Sequence, residues 1–253
     1  MEKKSESKNK TSETLCGFHS VTSILKRNSS DINRLWVDRS RHDHRLKELI
    51  SLAEKAGIKV ERVDQKYLDK ISHGVRHQGV VADAKIGQQE GENSLFKLLE
   101  GLKQPFLLVL DQVQDPHNLG ACLRTAEGAG IDAVILPKDG AAPVNETVRR
   151  VAAGAAERIP VFYVTNLARC LNKLQQQGVW ITGCADESAK LLFESDLTGN
   201  VAVVMGAEGR GLRNLTREHC DQIISIPMAG TVSSLNVSVA TGVVLYEAVR
   251  QRK

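Results

Sequence analysis

The segment IPMAGTVSSLNVSVATG, residues 226–242, decides how this chain is read. It leaves one apolar run, IISIP at 223–227, and enters another that extends to about Arg250. The first has the length and composition of a strand. The second is rich in Val, Ala and Leu on most sides, as a buried helix is. Leu235 or Asn236 starts that helix, and Ser233 or Ser234 suits its N-cap. A cap needs one polar residue, yet Gly230, Thr231, Ser233, Ser234 and Asn236 all lie here. Spare hydroxyls, amides and backbone N–H groups in one loop imply that something polar is held there.

Upstream, the same alternation recurs. FLLVL (106–110), AVILP (133–137), VFYV (161–164), VWITG (179–183) and VAVVM (201–205) are short, wholly apolar strand signals, most of them separated by helical patterns. Strands apolar on both faces that alternate with helices predict a parallel sheet in an α/β domain beginning at Pro105. Such sheets bind ligands beyond the carboxyl ends of their strands. Two more loops there stand out. In DQVQDPHNLGACLRTAEGAG (111–130), Asn118 occupies a helix N-cap position, Gly130 marks the stop, and Arg124 borders the stripe Leu119, Cys122, Leu123 and Ala126. A helix N-terminus of this kind suits an anion or a ribose. In MGAEGRGL (205–212), the spacing GxxGxG allows close approach of backbone to a ligand but fits neither a dinucleotide-binding nor a P-loop fingerprint. Glu208 is the unexpected carboxylate within it.

Residues 15–85 read as a smaller α/β unit. Helical patterns cover 17–27 and 44–57, and strands cover 35–38, 58–63 and 78–84. KIGQQEGENS (85–94) reads as polar linker, and LFKLLEGL (95–102) as a short bridging helix within a linker spanning 86–104. Residues 1–14 read as a disordered tail with no hydrophobic signal core, and no apolar run approaches the roughly 20 residues of a membrane span, so a cytoplasmic protein is expected.

Charge is uneven. Residues 1–85 carry 18 Lys and Arg against 12 Asp and Glu, whereas the remainder carries 16 against 18. A basic part joined to a slightly acidic one suggests that the first meets a polyanion. The five cysteines, Cys16, Cys122, Cys170, Cys184 and Cys220, have no CxxC spacing, which argues against a zinc site and a disulfide scaffold. The pairs His42/His44 and His73/His77 lie in polar segments expected to be exposed, so no metal site is expected.

NLGACLRTAEGAG (118–130), VMGAEGRGL (204–212) and IPMAGTVSSLNVSVATG together closely resemble the three ordered motifs of the SpoU (TrmH) branch of the SPOUT RNA methyltransferases. CGFHSVTSIL (16–25) and HQGVVA (77–82) resemble the substrate-binding domain, similar to ribosomal protein L30e, that precedes the catalytic domain in the ribosomal subfamily. TNLARCL, LTREHCD and LYEAVRQR strengthen the likeness to members that methylate a guanosine 2′-hydroxyl of 23S rRNA. The resemblance implies a deep trefoil knot at the C-terminus of the 105–253 domain, bound S-adenosylmethionine and a homodimer with active sites at its interface. It assigns Asn118, Arg124, Glu208, Ser234 and Asn236 to catalysis, and groups around Gly206, Ile226 and Leu235 to the cofactor. It also casts Arg124 as general base, a demanding role because a guanidinium is effectively always protonated. The conservative reading keeps Arg124 charged, gripping phosphate and stabilising the 2′-oxygen. Two alternatives stay open: the same chemistry on another rRNA or tRNA nucleotide, and a non-catalytic RNA-binding assembly factor.

Overall fold

A computed structural model describes residues 11–86, 90–186 and 188–253, and divides the chain between Gln89 and Glu90. The second unit is organised by alternation within fully buried strands. In β6 (Phe106–Leu110), Phe106, Leu108 and Leu110 join one apolar cluster, whereas Leu107 and Val109 join another. The strands β7 (Ala133–Pro137) and β10 (Val201–Met205) divide in the same way. The period of two thus builds two cores, one on each face of a single sheet. With β5 (Glu90–Gly91), β8 (Val161–Val164), β9 (Trp180–Cys184) and β11 (Gln222–Ile224), the sheet has the order β11-β9-β10-β6-β7-β8-β5, and its strand pairs are parallel.

One face is covered by α5 (Pro116–Gly128), α6 (Glu146–Ala152) and α9 (Val237–Gln251), and the other by α4 (Glu92–Leu99) and α7 (Leu167–Gln176). A short α8 (Asn214–Glu218) precedes β11. From β6 the chain moves outward through β7 and β8, then crosses to β9 and β10 on the other side. The carboxyl ends of β6 and β10 therefore meet at a topological switch point, where ligands of such sheets bind.

The linker expected over 86–104 is corrected here. Glu90–Gly91 adds the seventh strand beside β8, and Leu95 and Leu99 of α4 are buried. The polar start of the segment hides an i, i+4 apolar pair. Glu92 anchors it to α7, accepting from Arg169 at 2.9 Å and Lys173 at 2.7 Å. Residues 87–89 lie outside the described residues.

The first unit is a mixed sheet of order β1-β4-β2-β3, built from β1 (Thr11–Cys16), β2 (Ile32–Asp38), β3 (Lys59–Val63) and β4 (Val80–Ile86). The helices are α1 (Phe18–Asn28), α2 (His44–Lys55) and α3 (Gln65–Ile71). Asp43 and Asp64 cap α2 and α3, each accepting from the backbone three residues on. The tail expected over 1–14 is corrected for 11–14, which pair antiparallel with β4. The polar run Ser12, Glu13 and Thr14 disguises an edge strand whose Leu15 reaches the core. Residues 1–10 lie outside the described residues.

The C-terminus of α9 is tied down by a buried carboxylate. Glu247 accepts from Arg250 Nε and Nη2, each at 2.8 Å, and from Gln251 Nε2 at 2.7 Å. Gln251 in turn accepts from Leu197 N at 2.8 Å and donates to Ser195 O at 2.9 Å. The bonds from Arg250 and Gln251 outweigh burial and hold the Glu247 carboxyl at about 2. A depressed carboxyl stabilises the fold above its ordinary range and loses that contribution as pH falls. The melting-temperature gap between wild type and Glu247→Gln is therefore expected in full above about pH 5, narrowing towards pH 2; a gap independent of pH would contradict it.

Candidate active site

The three motif loops converge at the switch point. Asp115, not Asn118, is the N-cap of α5: its carboxylate accepts from His117 N at 3.1 Å and Asn118 N at 3.2 Å, with Pro116 in the first turn. This corrects the capping role expected for Asn118 and frees its side chain. Asn118, only 9% exposed, donates from Nδ2 to Glu208 Oε2 at 2.9 Å and accepts at Oδ1 from Asn236 Nδ2 at 3.0 Å. One buried amide thus joins residues 90 and 118 positions away, with its donor and acceptor both used.

Asn236 is also the true N-cap of α9, accepting at Oδ1 from Ser238 N at 2.9 Å and Ser238 Oγ at 2.7 Å. Ser233 and Ser234, the caps expected from sequence, are exposed instead. Ser234 makes no side-chain hydrogen bond among the described residues and is not drawn into the cluster.

Arg124 is not part of the cluster either. Six residues along α5 from Asn118, it lies about 9 Å farther up the axis and about 240° around it. It is exposed and makes no hydrogen bond or ion pair among the described residues. Its face is shared with α9. Thr125 Cγ2 lies beside Gly242, and Tyr246 Oη sits over Gly128, one turn from Arg124. Val239 and Tyr246 of α9 are 53% exposed each.

Around Gly206 the backbone is crowded. Ala207 and Gly211 exchange main-chain hydrogen bonds at 3.1 and 2.9 Å, and a Cβ on Gly206 would lie 2.1 Å from the carbonyl carbon of Gly211. Residues 226–235 make no main-chain hydrogen bond among the described residues, while Ile226 and Leu235 are half-buried against the core. A glycine cradle, two apolar walls and a run of free backbone donors fit an adenosine-bearing cofactor held largely by main chain.

Sequence reasoning missed Asp111 and Arg213. Asp111 ends β6, buried, and accepts from Arg213 N at 3.2 Å while Arg213 Nη2 stands 2.6 Å from its other oxygen. The pair clips the 206–213 loop to β6. A charged residue placed directly after a fully apolar strand was the available signal.

Burial raises the thiols of Cys122 and Cys184 to about 11 and of Cys170 and Cys220 to about 12, so these are inert side chains. Among the described residues no cluster of His, Cys, Asp or Glu is placed to hold a metal ion, and no helix is long and apolar enough to cross a membrane.

The family described as SpoU rRNA Methylase matches residues 105–246, and RNA 2′-O ribose methyltransferase substrate binding matches residues 14–89. The 23S rRNA (guanosine-2′-O-)-methyltransferase RlmB of Escherichia coli K12 is 53% identical over 241 residues, covering 95% of this chain and 99% of the relative. Its counterpart from Pectobacterium atrosepticum is 54% identical over the same share. Among solved structures, the SpoU methyltransferase AviRb from Streptomyces viridochromogenes with AdoMet superposes with a TM-score of 0.79 at 23% identity, covering 95% of this chain and 90% of that one. The match over the catalytic unit and the near full-length identity place the chain plainly: it belongs to the SpoU rRNA methylase family.

Proposed function

We propose that the protein transfers a methyl group from S-adenosylmethionine to the ribose 2′-hydroxyl of a guanosine in 23S rRNA, working in the cytoplasm as a homodimer. The observation that carries this reading is the Glu208–Asn118–Asn236 chain, which ties the three motif loops together at one point. When bound, the cofactor supplies an electrophilic methyl on a sulfonium sulfur. The cradle at Gly206, with Ile226, Leu235 and the free amides of 226–235, would hold it. The C-terminal threading of the knot that the family resemblance implies would bring these loops together.

Two tasks remain for side chains: positioning the 2′-oxygen in line with the methyl and easing loss of its proton. Asn118, held rigidly by Glu208 and Asn236, fixes the wall on which the ribose rests. Arg124 keeps its charge, binds the phosphate beside the target and stabilises negative charge developing on the 2′-oxygen. Ser234 borders the cofactor or the RNA.

Arg124 faces away from its own chain's cluster, and this favours the dimer. It stands on the same two-helix surface as Val239 and Tyr246, whose exposed apolar area a second copy would cover. Tyr246→Glu is expected to shift the sedimentation velocity to that of a monomer and to abolish methyl transfer; a fully active monomer would refute the shared site. Residues 15–85 would carry the RNA, matching their basic balance.

The reaction is tested by mapping 2′-O-methyl groups on 23S rRNA from cells with and without the active protein. Loss of one guanosine mark is expected. Loss from a tRNA instead, or no loss at all, would reject the assignment.

A further inference from the structure

The first unit contains a cleft of about 430 Å³ between the end of β2, the start of α3 and the turn leading into β4. That is within the roughly 300–1,000 Å³ range of pockets that enclose small ligands. Its floor is His77, expected from sequence to be exposed but in fact 7% exposed. Gly79 N donates to His77 Nδ1 at 3.0 Å, so the ring proton is on Nε2, which donates to Asp69 Oδ1 at 2.9 Å.

The walls are equally occupied. Asp38 Oδ1 accepts from Ser40 N at 2.8 Å and Ser40 Oγ at 2.7 Å. Arg41 pairs with Asp43 at 2.7 Å, donates to Gln78 O and stacks over Phe18 at 4.6 Å. It can lie there because position 79 is glycine. A Cβ would stand 2.9 Å from Arg41 Cδ, and the backbone has φ +78°.

Against these fixed walls the rim is free. Arg76, Gln65 and Gln78 also line the cleft, and their side chains have no partner among the described residues. One free cation beside two amides, each offering donor and acceptor, matches a phosphate attached to a hydrogen-bonding base edge. Unstacked bases of single-stranded RNA offer that combination, whereas in a duplex their pairing edges are occupied.

We propose that this cleft binds one unpaired nucleotide of the RNA substrate, with Arg76 on the phosphate and Gln65 and Gln78 on the base edge. This rests on the RNA-methyltransferase reading above. It adds to it a site remote in sequence from the catalytic loops that recognises single-stranded structure near the target.

The test uses the full chain. Imidazole resonances of His77 are followed by NMR while a single-stranded hexanucleotide, the duplex of the same sequence, or a free nucleoside monophosphate is added. The single strand is expected to shift them most and the monophosphate more weakly in the same direction, with the duplex silent. In parallel, Arg76→Ala is expected to weaken binding of unmodified 23S rRNA transcript by about tenfold, the value of a lost hydrogen bond involving charge, and Gln65→Ala by about fivefold, the value of a neutral one. Cofactor affinity should stay unchanged, and Arg76→Lys should recover part of the loss. An equal response to duplex, or unchanged transcript binding by both variants, overturns the proposal. Failure of wild-type methylation with an intact single-strand shift would instead reject the enzymatic reading alone.

Discussion

Arg124→Ala is expected to lower the single-turnover rate of methyl transfer by about 10²–10³-fold, the usual loss when one preorganised charge stabiliser is removed, while leaving cofactor affinity unchanged. The split follows from geometry. Arg124 is exposed and has no partner among the described residues. Its removal therefore disturbs neither fold nor cofactor pocket, and stability should stay within about 0.5 kcal/mol of wild type. The lysine variant separates the two chemical roles. A charge stabiliser predicts weak activity with an unchanged pH profile, because lysine keeps the charge but not the planar fork. Substantial activity with a new, lower apparent pKa would instead favour proton abstraction by residue 124.

Gly206→Ala is expected to abolish cofactor binding, by at least about 100-fold, and to cost about 1–3 kcal/mol of stability through overpacking. The added carbon would stand 2.1 Å from Gly211 C and 2.4 Å from Leu212 N. Carbon pairs settle near 3.5–4.0 Å, so the whole 207–212 turn must move. Gly209 provides the contrast. Nothing lies within 4 Å of a Cβ there, and only the backbone at φ +76° resists substitution. Gly209→Ala should therefore cost about 1 kcal/mol and retain measurable cofactor binding by calorimetry. Equal binding losses at both positions would show that loop flexibility, and not the close approach at Gly206, is what matters.

The parallel sheet was legible because strands buried on both faces are written as uninterrupted apolar runs, and FLLVL, AVILP and VAVVM are such runs. Elements whose burial is partial were harder to read. The residues of β1 up to Thr14 hide as a polar tail, and α4 was read as a short bridging helix in a linker although Leu95 and Leu99 pack into the core. His77 was misread for the same reason: a polar segment can still be folded inward when two fixed partners await it.

The candidate site divides similarly. The resemblance to the SpoU motifs singled out Asn118, Glu208 and Asn236, whereas the local pattern cast Asn118 as a helix cap. Local sequence cannot decide between Asp115 and Asn118, because either side chain caps well. The fold decides it: with Asp115 on the backbone amides, Asn118 is left to bridge Glu208 and Asn236. What the sequence by itself determined is the alternation of the buried strands with helices and the loops that carry polar surplus, since these depend on periodicity and residue type; the family came from the resemblance of the three motifs. Only the tertiary structure decided which loops meet, that Asp111 clips to Arg213 and that Arg124 is left exposed without a partner among the described residues. Hydrogen bonds and ion pairs across about a hundred residues depend on three-dimensional closure, and no local pattern encodes their geometry.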